Sequence, residues 1–188
     1  MTHPTIPLGH GHLRLARKHA AKSALGGTSH VRPDTDARQD NLGVDQLTGH
    51  LGNLALSLYW YGTTHPYVMG RTLQDKFPTV GDGGSDLPGL NVDVKTSLIR
   101  KPDPTLQDYN LIVRPRELHP GTVYVLCLIE RQEYPPDNAA CLAHLMGWAD
   151  ARTLENAGVA SYGTFAGAFT IPAMQLTPLP PLTYEWSV

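Results

Sequence analysis

The hydrophobic pattern changes character along the chain. Leu47, Leu51, Leu54 and Leu58 recur at intervals of four, three and four, the spacing that stacks side chains on one face of an α-helix, and Gly62 supplies a stop. This predicts a helix over 45–61 packed on a core. Beside that stripe, Gln46, His50, Asn53 and Ser57 form a polar one at the same spacing, a second face suited to looking into a cleft. Upstream, His12 to Leu25 is rich in Ala, Leu, Arg and Lys and ends at Gly26-Gly27, which predicts a short basic helix.

From residue 66 the texture is that of strands. A short strand is expected near Tyr67–Met69, then a glycine turn at Gly81-Asp82-Gly83-Gly84, then strands over Asn91–Ile99, Tyr109–Arg114 and Thr122–Glu130. The last of these is apolar on both faces and marks a central strand. Residues 141–151 are read as a further strand, with a short helix over Ala151–Ala157 after it. The tail Thr-Ile-Pro-Ala-Met-Gln-Leu-Thr-Pro-Leu-Pro-Pro-Leu is too rich in proline for regular structure and is expected to wrap the surface. The elements together predict an α/β fold: a mixed central sheet of four or five strands flanked by helices over 39–188, with 1–38 as a basic N-terminal extension.

Composition sharpens this picture in three ways. With 18 Gly and 16 Pro in 188 residues and only 17% charged side chains, the chain is too rich in turns for a helical bundle. No apolar run approaches the eighteen or so residues that span a bilayer, and the N-terminus lacks a signal-peptide core, so a cytoplasmic protein without a membrane is expected. Cys127 and Cys141 are too few for a disulfide framework and read as buried thiols.

The net charge of −2 hides an asymmetry. Residues 1–32 carry Arg14, Arg17, Lys18, Lys22 and Arg32 and no acidic residue, leaving 10 basic against 17 acidic side chains in the remainder. A helix bearing Arg14, Arg17, Lys18 and Lys22 suits contacts to nucleic-acid phosphates, which are independent of sequence. Arg71, Lys76, Arg100 and Lys101 flank the hairpin described next and extend the expected DNA-binding set through Arg71 and Arg100.

The stretch from Gly81 to Ser97 carries the chemistry. On a strand, Asp93 and Lys95 point one way while Val92 and Val94 point the other. Leu87-Pro88-Gly89-Leu90 can turn the chain sharply and return Asp86 beside Asp93. Two carboxylates and one ammonium then converge, and hard carboxylate oxygens suit Mg²⁺. Gly81–Gly84 lacks the Gly-Lys-Ser/Thr of a phosphate-binding loop, Gly-x-Ser-x-Gly is absent, and His3, His10 and His12 have no cysteine partners at zinc-site spacing.

With Asp86 as the first aspartate and Asp93-Val94-Lys95 as the (D/E)xK element, the sequence resembles the PD-(D/E)xK nuclease superfamily, the restriction-endonuclease-like fold. Ser85 stands in place of the proline, and the spacing from Asp86 to Asp93 is short, which leaves Asp82 as a fallback ligand. The segment Gly49-His50-Leu51-Gly52-Asn53 is similar to the family's Gly-x-x-Gly-Glu segment, with Asn53 at the glutamate position and Gln46 and His50 on the same face as substitute metal ligands. The resemblance covers roughly residues 45–150. It implies a Mg²⁺-dependent deoxyribonuclease, with Mn²⁺ as a substitute ion, in which Asp86, Asp93 and the Val94 carbonyl hold the metal, Lys95 positions the attacking water and Asn53 orients a metal-bound water. A homodimer would permit cleavage of both strands. The alternatives are a catalytically weak nuclease fold used for nucleic-acid binding or assembly, and an unrelated β-rich binding protein whose Asp-x-Lys is a surface pair.

Overall fold

The computed structural model describes residues 3–25, 42–76, 86–99, 105–131, 141–162 and 165–181. Among these residues, eleven α-helices and strands follow one another in the order β1 (Thr5–Leu8), α1 (His10–Leu25), α2 (Leu42–Tyr61), α3 (His65–Lys76), β2 (Val92–Leu98), β3 (Asn110–Val113), β4 (Val123–Arg131), β5 (Cys141–Asp150), α4 (Ala151–Ala157), β6 (Val159–Tyr162) and β7 (Phe165–Pro172).

Two sheets share the work of burial. The first is mixed and four-stranded in the order β1-β5-β4-β2, with β2 parallel to β4 and the other pairs antiparallel. The second is three-stranded and antiparallel, β3-β7-β6. Strand β4 lies between two apolar layers. Its Val125, Cys127 and Ile129 pack with Leu13, Leu51, Leu54 and Leu56 of α1 and α2, while Tyr124, Leu126 and Leu128 pack with Leu111, Val113, Leu154 and Ile171. The strand expected to be apolar on both faces is therefore buried on both faces, as alternation dictates. Helices α1 to α3 cover one face; the other, where the sequence pattern had flanking helices, is covered by the second sheet together with the short helix α4.

Three further expectations are revised. Tyr67–Met69 lies in α3, not in a strand. Pro66 follows His65 at the start of that helix, where a missing N–H costs nothing, and Tyr67 is fully buried against α2. Residues 165–172, partly assigned to an irregular tail, form β7, with Pro172 at the strand's last position. Residues 3–25 do not hang off the domain: Leu8 pairs with Cys141 across β1 and β5 and is fully buried, and Leu13, Ala16 and Ala20 of α1 are buried too. Past Gln175 the tail does wrap the surface, with Leu176 and Leu179 buried and Thr177 bridged to Trp148. Cys127 and Cys141 are both buried, as expected.

Two glycines set close approaches. A Cβ at Gly52 would collide with the Thr96 side chain, so this glycine lets α2 lie directly on β2. Gly147 has φ +145 at an irregularity in the β4–β5 ladder, and a Cβ there would meet the Thr177 carbonyl oxygen at 2.6 Å; the bulge makes room for the tail.

If residues 3–25 belong to the folded unit, Leu8→Ala costs about 2–5 kcal/mol in urea denaturation, the range for emptying a packed leucine site. An appended arm would show a change near zero.

Candidate active site

Strand β2 ends the order of the first sheet. The ladder to β4 uses the carbonyl of Asn91, which accepts from Val123, and the N–H of Ile99, which donates to Ile129. Residues of the opposite parity therefore turn their backbone groups to the outer edge. There Asp86 N–H donates to the Val92 carbonyl at 2.8 Å, and the Val94 N–H donates to Asp86 Oδ2 at 2.6 Å. The turn Leu87–Leu90 brings Asp86 back to the strand as its residues predict, with Leu87 and Leu90 buried beneath it and Gly89 at φ +76.

Asp86 is also held from the helices. Asn53 Nδ2 of α2 donates to Asp86 Oδ1 at 2.6 Å, and Arg71 of α3 lies 3.7 Å from the same oxygen with its side chain only 12% exposed. Two expected roles thus take a different form. Arg71, read as a DNA contact, sits against Asp86, and the Asn53 amide bonds a carboxylate directly. Among the described residues, Asn53 Oδ1 and the nearby Thr96 hydroxyl are buried and find no hydrogen-bond partner.

Asp93 and Lys95 lie on the face of β2 opposite buried Val92 and Val94. Lys95 Nζ is 2.8 Å from Asp93 Oδ2 and 3.0 Å from Glu117 Oε2. Glu117 is the residue that sequence reasoning missed. It closes a 3-10 turn, Pro115–Glu117, after β3. Its Oε1 accepts from Arg114 at 3.2 Å, and its carbonyl accepts from the hydroxyl of buried Tyr124 at 2.7 Å, while the His119 N–H donates to that hydroxyl at 2.7 Å. Nothing local in Arg114-Pro115-Arg116-Glu117 announces this; only the register of β2 on β4 puts Lys95 within its reach.

The electrostatics follow from burial and mutual repulsion. Burial, then the neighbouring Asp86 charge, pushes the Asp93 carboxyl up to about 7 against the opposing pull of Lys95. Burial works against the Lys95 ammonium, but Asp93 and Glu117 outweigh it and hold its pKa above the ordinary value. Burial likewise works against a charged Glu117, and Lys95 with Arg114 overcomes it, holding that carboxyl below its ordinary range. Lys95 is therefore a firm cation and Asp93 the weak point.

A second polar group backs the first. His50 Nδ1 is 3.0 Å from the Tyr67 hydroxyl and His50 Nε2 is 3.3 Å from Ser23 Oγ, joining α1, α2 and α3. Burial, then Arg71 and His19, lowers the His50 pKa to about 4, so it is a neutral imidazole serving this network, where the sequence offered it as a stand-in metal ligand. Burial raises the Tyr67 pKa. On α1, Arg14, Arg17, Lys18 and Lys22 are all exposed. Arg100, Lys101 and Asp82 lie outside the described residues, as does the side chain of Lys76.

The donor set suits a hard cation in chemistry. Asp86 and Asp93 are close enough for one charge to oppose the other, the Val94 carbonyl leaves the strand on the same edge as its N–H, and Asn53 brings an unpartnered amide oxygen. Magnesium is commonly held by one or two carboxylates, with waters and substrate phosphate completing the shell. No group of three or more His, Cys, Asp or Glu side chains is placed to hold a metal ion among the described residues.

Asp93 also dictates a pH dependence. Its pKa is higher folded than unfolded, so its contribution to stability is present below pH 4 and is lost as pH rises through about 7. Between pH 4 and pH 7 the urea midpoint of the metal-free protein is expected to fall relative to that of Asp93→Asn, a comparison in which the opposing contribution of His50, whose pKa is lowered to about 4, cancels. An unchanged slope in the variant would place Asp93 in an ordinary solvated environment.

No helix among the described residues is long and apolar enough to cross a membrane. The chain matches no family model, no curated protein and no solved structure.

Proposed function

We propose that this protein is a Mg²⁺-dependent deoxyribonuclease with a restriction-endonuclease-like core. The observation that carries this reading is the convergence of Asp86 on the Asp93-Val94-Lys95 strand, through the 2.6 Å bond from the Val94 N–H and the opposition of the two carboxylates. Desolvated carboxylates beside a lysine held as a cation are the parts that phosphodiester hydrolysis needs.

In this reading Asp86, Asp93 and the Val94 carbonyl hold the ion, which when bound lowers the pKa of a water and offsets charge on the scissile phosphate. Lys95 has three N–H donors; two engage Asp93 and Glu117, and the third is available to orient the attacking water or a phosphate oxygen. Asn53 and Arg71 hold Asp86 in place. The exposed basic residues of α1 contact the phosphate backbone without reading sequence, and cytoplasmic DNA is the expected substrate.

A specific observation favours one second reading. Asn53 meets Asp86 with a donor where a carboxylate would supply charge, and Lys95 is shared between two carboxylates; both fit a fold that binds nucleic acid, cutting it slowly or not at all.

Cleavage of supercoiled, linear and branched DNA with Mg²⁺ or Mn²⁺ separates the two. The expected result is metal-dependent cleavage that falls by about 100-fold or more in Lys95→Ala; binding without cleavage in the wild type supports the second reading. Replacing Arg14 and Lys18 together with Gln is expected to weaken DNA binding and to reduce the log-log salt slope by about 2. Asn53→Glu places a carboxylate against Asp86. It is expected to lower the thermal midpoint without metal and to regain it with Mg²⁺, and a variant indifferent to Mg²⁺ removes position 53 from the ion's surroundings.

A further inference from the structure

The opposite edge of the first sheet carries a second cluster, two strands away from Asp86. His144 of β5 is only 8% exposed. Its Nε2 lies 3.2 Å from Glu130 Oε2. An ionised carboxylate only accepts, so Nε2 carries the proton in neutral His144 and Nδ1 presents a lone pair. That lone pair faces His3 Nε2 at 3.2 Å and Thr5 Oγ1 at 3.2 Å.

Two donors cannot both be well served by one lone pair. With Thr5 donating, His3 is free to carry its own proton on Nδ1, which turns its Nε2 into a second lone pair facing the first. The 3.2 Å between the two nitrogens is close to the spacing of about 3.3 Å expected for ligands at about 2.0–2.1 Å from a tetrahedral zinc ion.

We propose that His3 Nε2 and His144 Nδ1 are two ligands of a divalent transition-metal site of the zinc class, which pins β1 to β5. Imidazole nitrogens suit such ions and not Mg²⁺. Glu130 acts through His144, fixing its tautomer as carboxylates behind zinc-bound histidines do. His3 also lines a cavity of about 770 Å³ walled by Tyr59, Leu145, Met146 and Leu179, so there is room beside His3 for waters to complete the shell. The ion would join positions 141 residues apart.

The test uses full-length protein without a polyhistidine tag, stripped with chelator and titrated with Zn²⁺ by calorimetry and with Co²⁺ by visible absorption. One equivalent is expected to bind the wild type and to raise its thermal midpoint. His3→Gln, at a partly exposed site that does not disturb the core, is expected to weaken binding at least tenfold and to abolish the thermal shift. Glu130→Gln should weaken it about 10-fold to 100-fold. The double variant His10→Gln/His12→Gln should bind as the wild type does, and excess Mg²⁺, which imidazole pairs do not hold, should leave the Zn²⁺ affinity unchanged. Absence of a one-to-one site in the wild type overturns the proposal, as does full Zn²⁺ binding in His3→Gln. Loss of binding in His10→Gln/His12→Gln, or displacement of the Zn²⁺ by excess Mg²⁺, overturns it as well, by assigning the ion to the exposed histidines or to the acid centre.

Discussion

The burial of β4 on both faces is the constraint from which the rest of the architecture follows. Six consecutive side chains, Tyr124 to Ile129, are essentially inaccessible to solvent. They alternate between two apolar layers, so each layer must be supplied by different elements. Helices α1 and α2 supply one; β3, β7 and α4 supply the other. A strand enclosed in this way needs hydrogen-bonded neighbours on both sides, because water cannot satisfy its backbone. Strand β5 is one neighbour and β2 the other. The Asp-Val-Lys strand is therefore clamped by β4 along one edge while its other edge receives Asp86.

That arrangement explains the unusual electrostatics of the acid centre. Val92 and Val94 anchor β2 in the layer beneath α2, and Asp93 and Lys95 are forced to the other face, alongside Tyr124 and Leu126 in the register. These are apolar surroundings for charges, and the chain compensates with partners. Lys95 receives two carboxylates, Glu117 receives Arg114, and Asp86 receives Asn53, Arg71 and the Val94 N–H. Asp93 is the least compensated, with one cation on one side and Asp86 opposing it, and its pKa rises accordingly. A cation recruited from solution would relieve that opposition, and this is the physical content of the proposed metal dependence.

The elements legible in the sequence were those whose signal is local. The leucine spacing of α2, the two-sided apolar run of β4 and the alternation of Val92 and Val94 with Asp93 and Lys95 each follow from the period of the backbone. So does the turn at Leu87–Leu90, with its proline and glycine. Less legible were α3, whose Tyr67-Val68-Met69 run suits either a strand or a helix until Pro66 and the packing of Tyr67 decide it, and β6 and β7, whose small residues make little alternating pattern. Residues 3–25 looked like an extension because their charge is one-sided, yet charge on an exposed helix face does not report what the opposite face buries.

Sequence alone determined which side chains can serve as carboxylates, cations and core residues, and the short turn that returns Asp86 to its strand, because these depend on chemistry and on backbone period over a few residues. Only the tertiary structure decided that Glu117 reaches Lys95, that Arg71 and Asn53 are committed to Asp86, and that His3 meets His144. Each of those pairs is separated by 15 or more positions along the chain, and they meet only through strand register and helix packing, which no local pattern encodes.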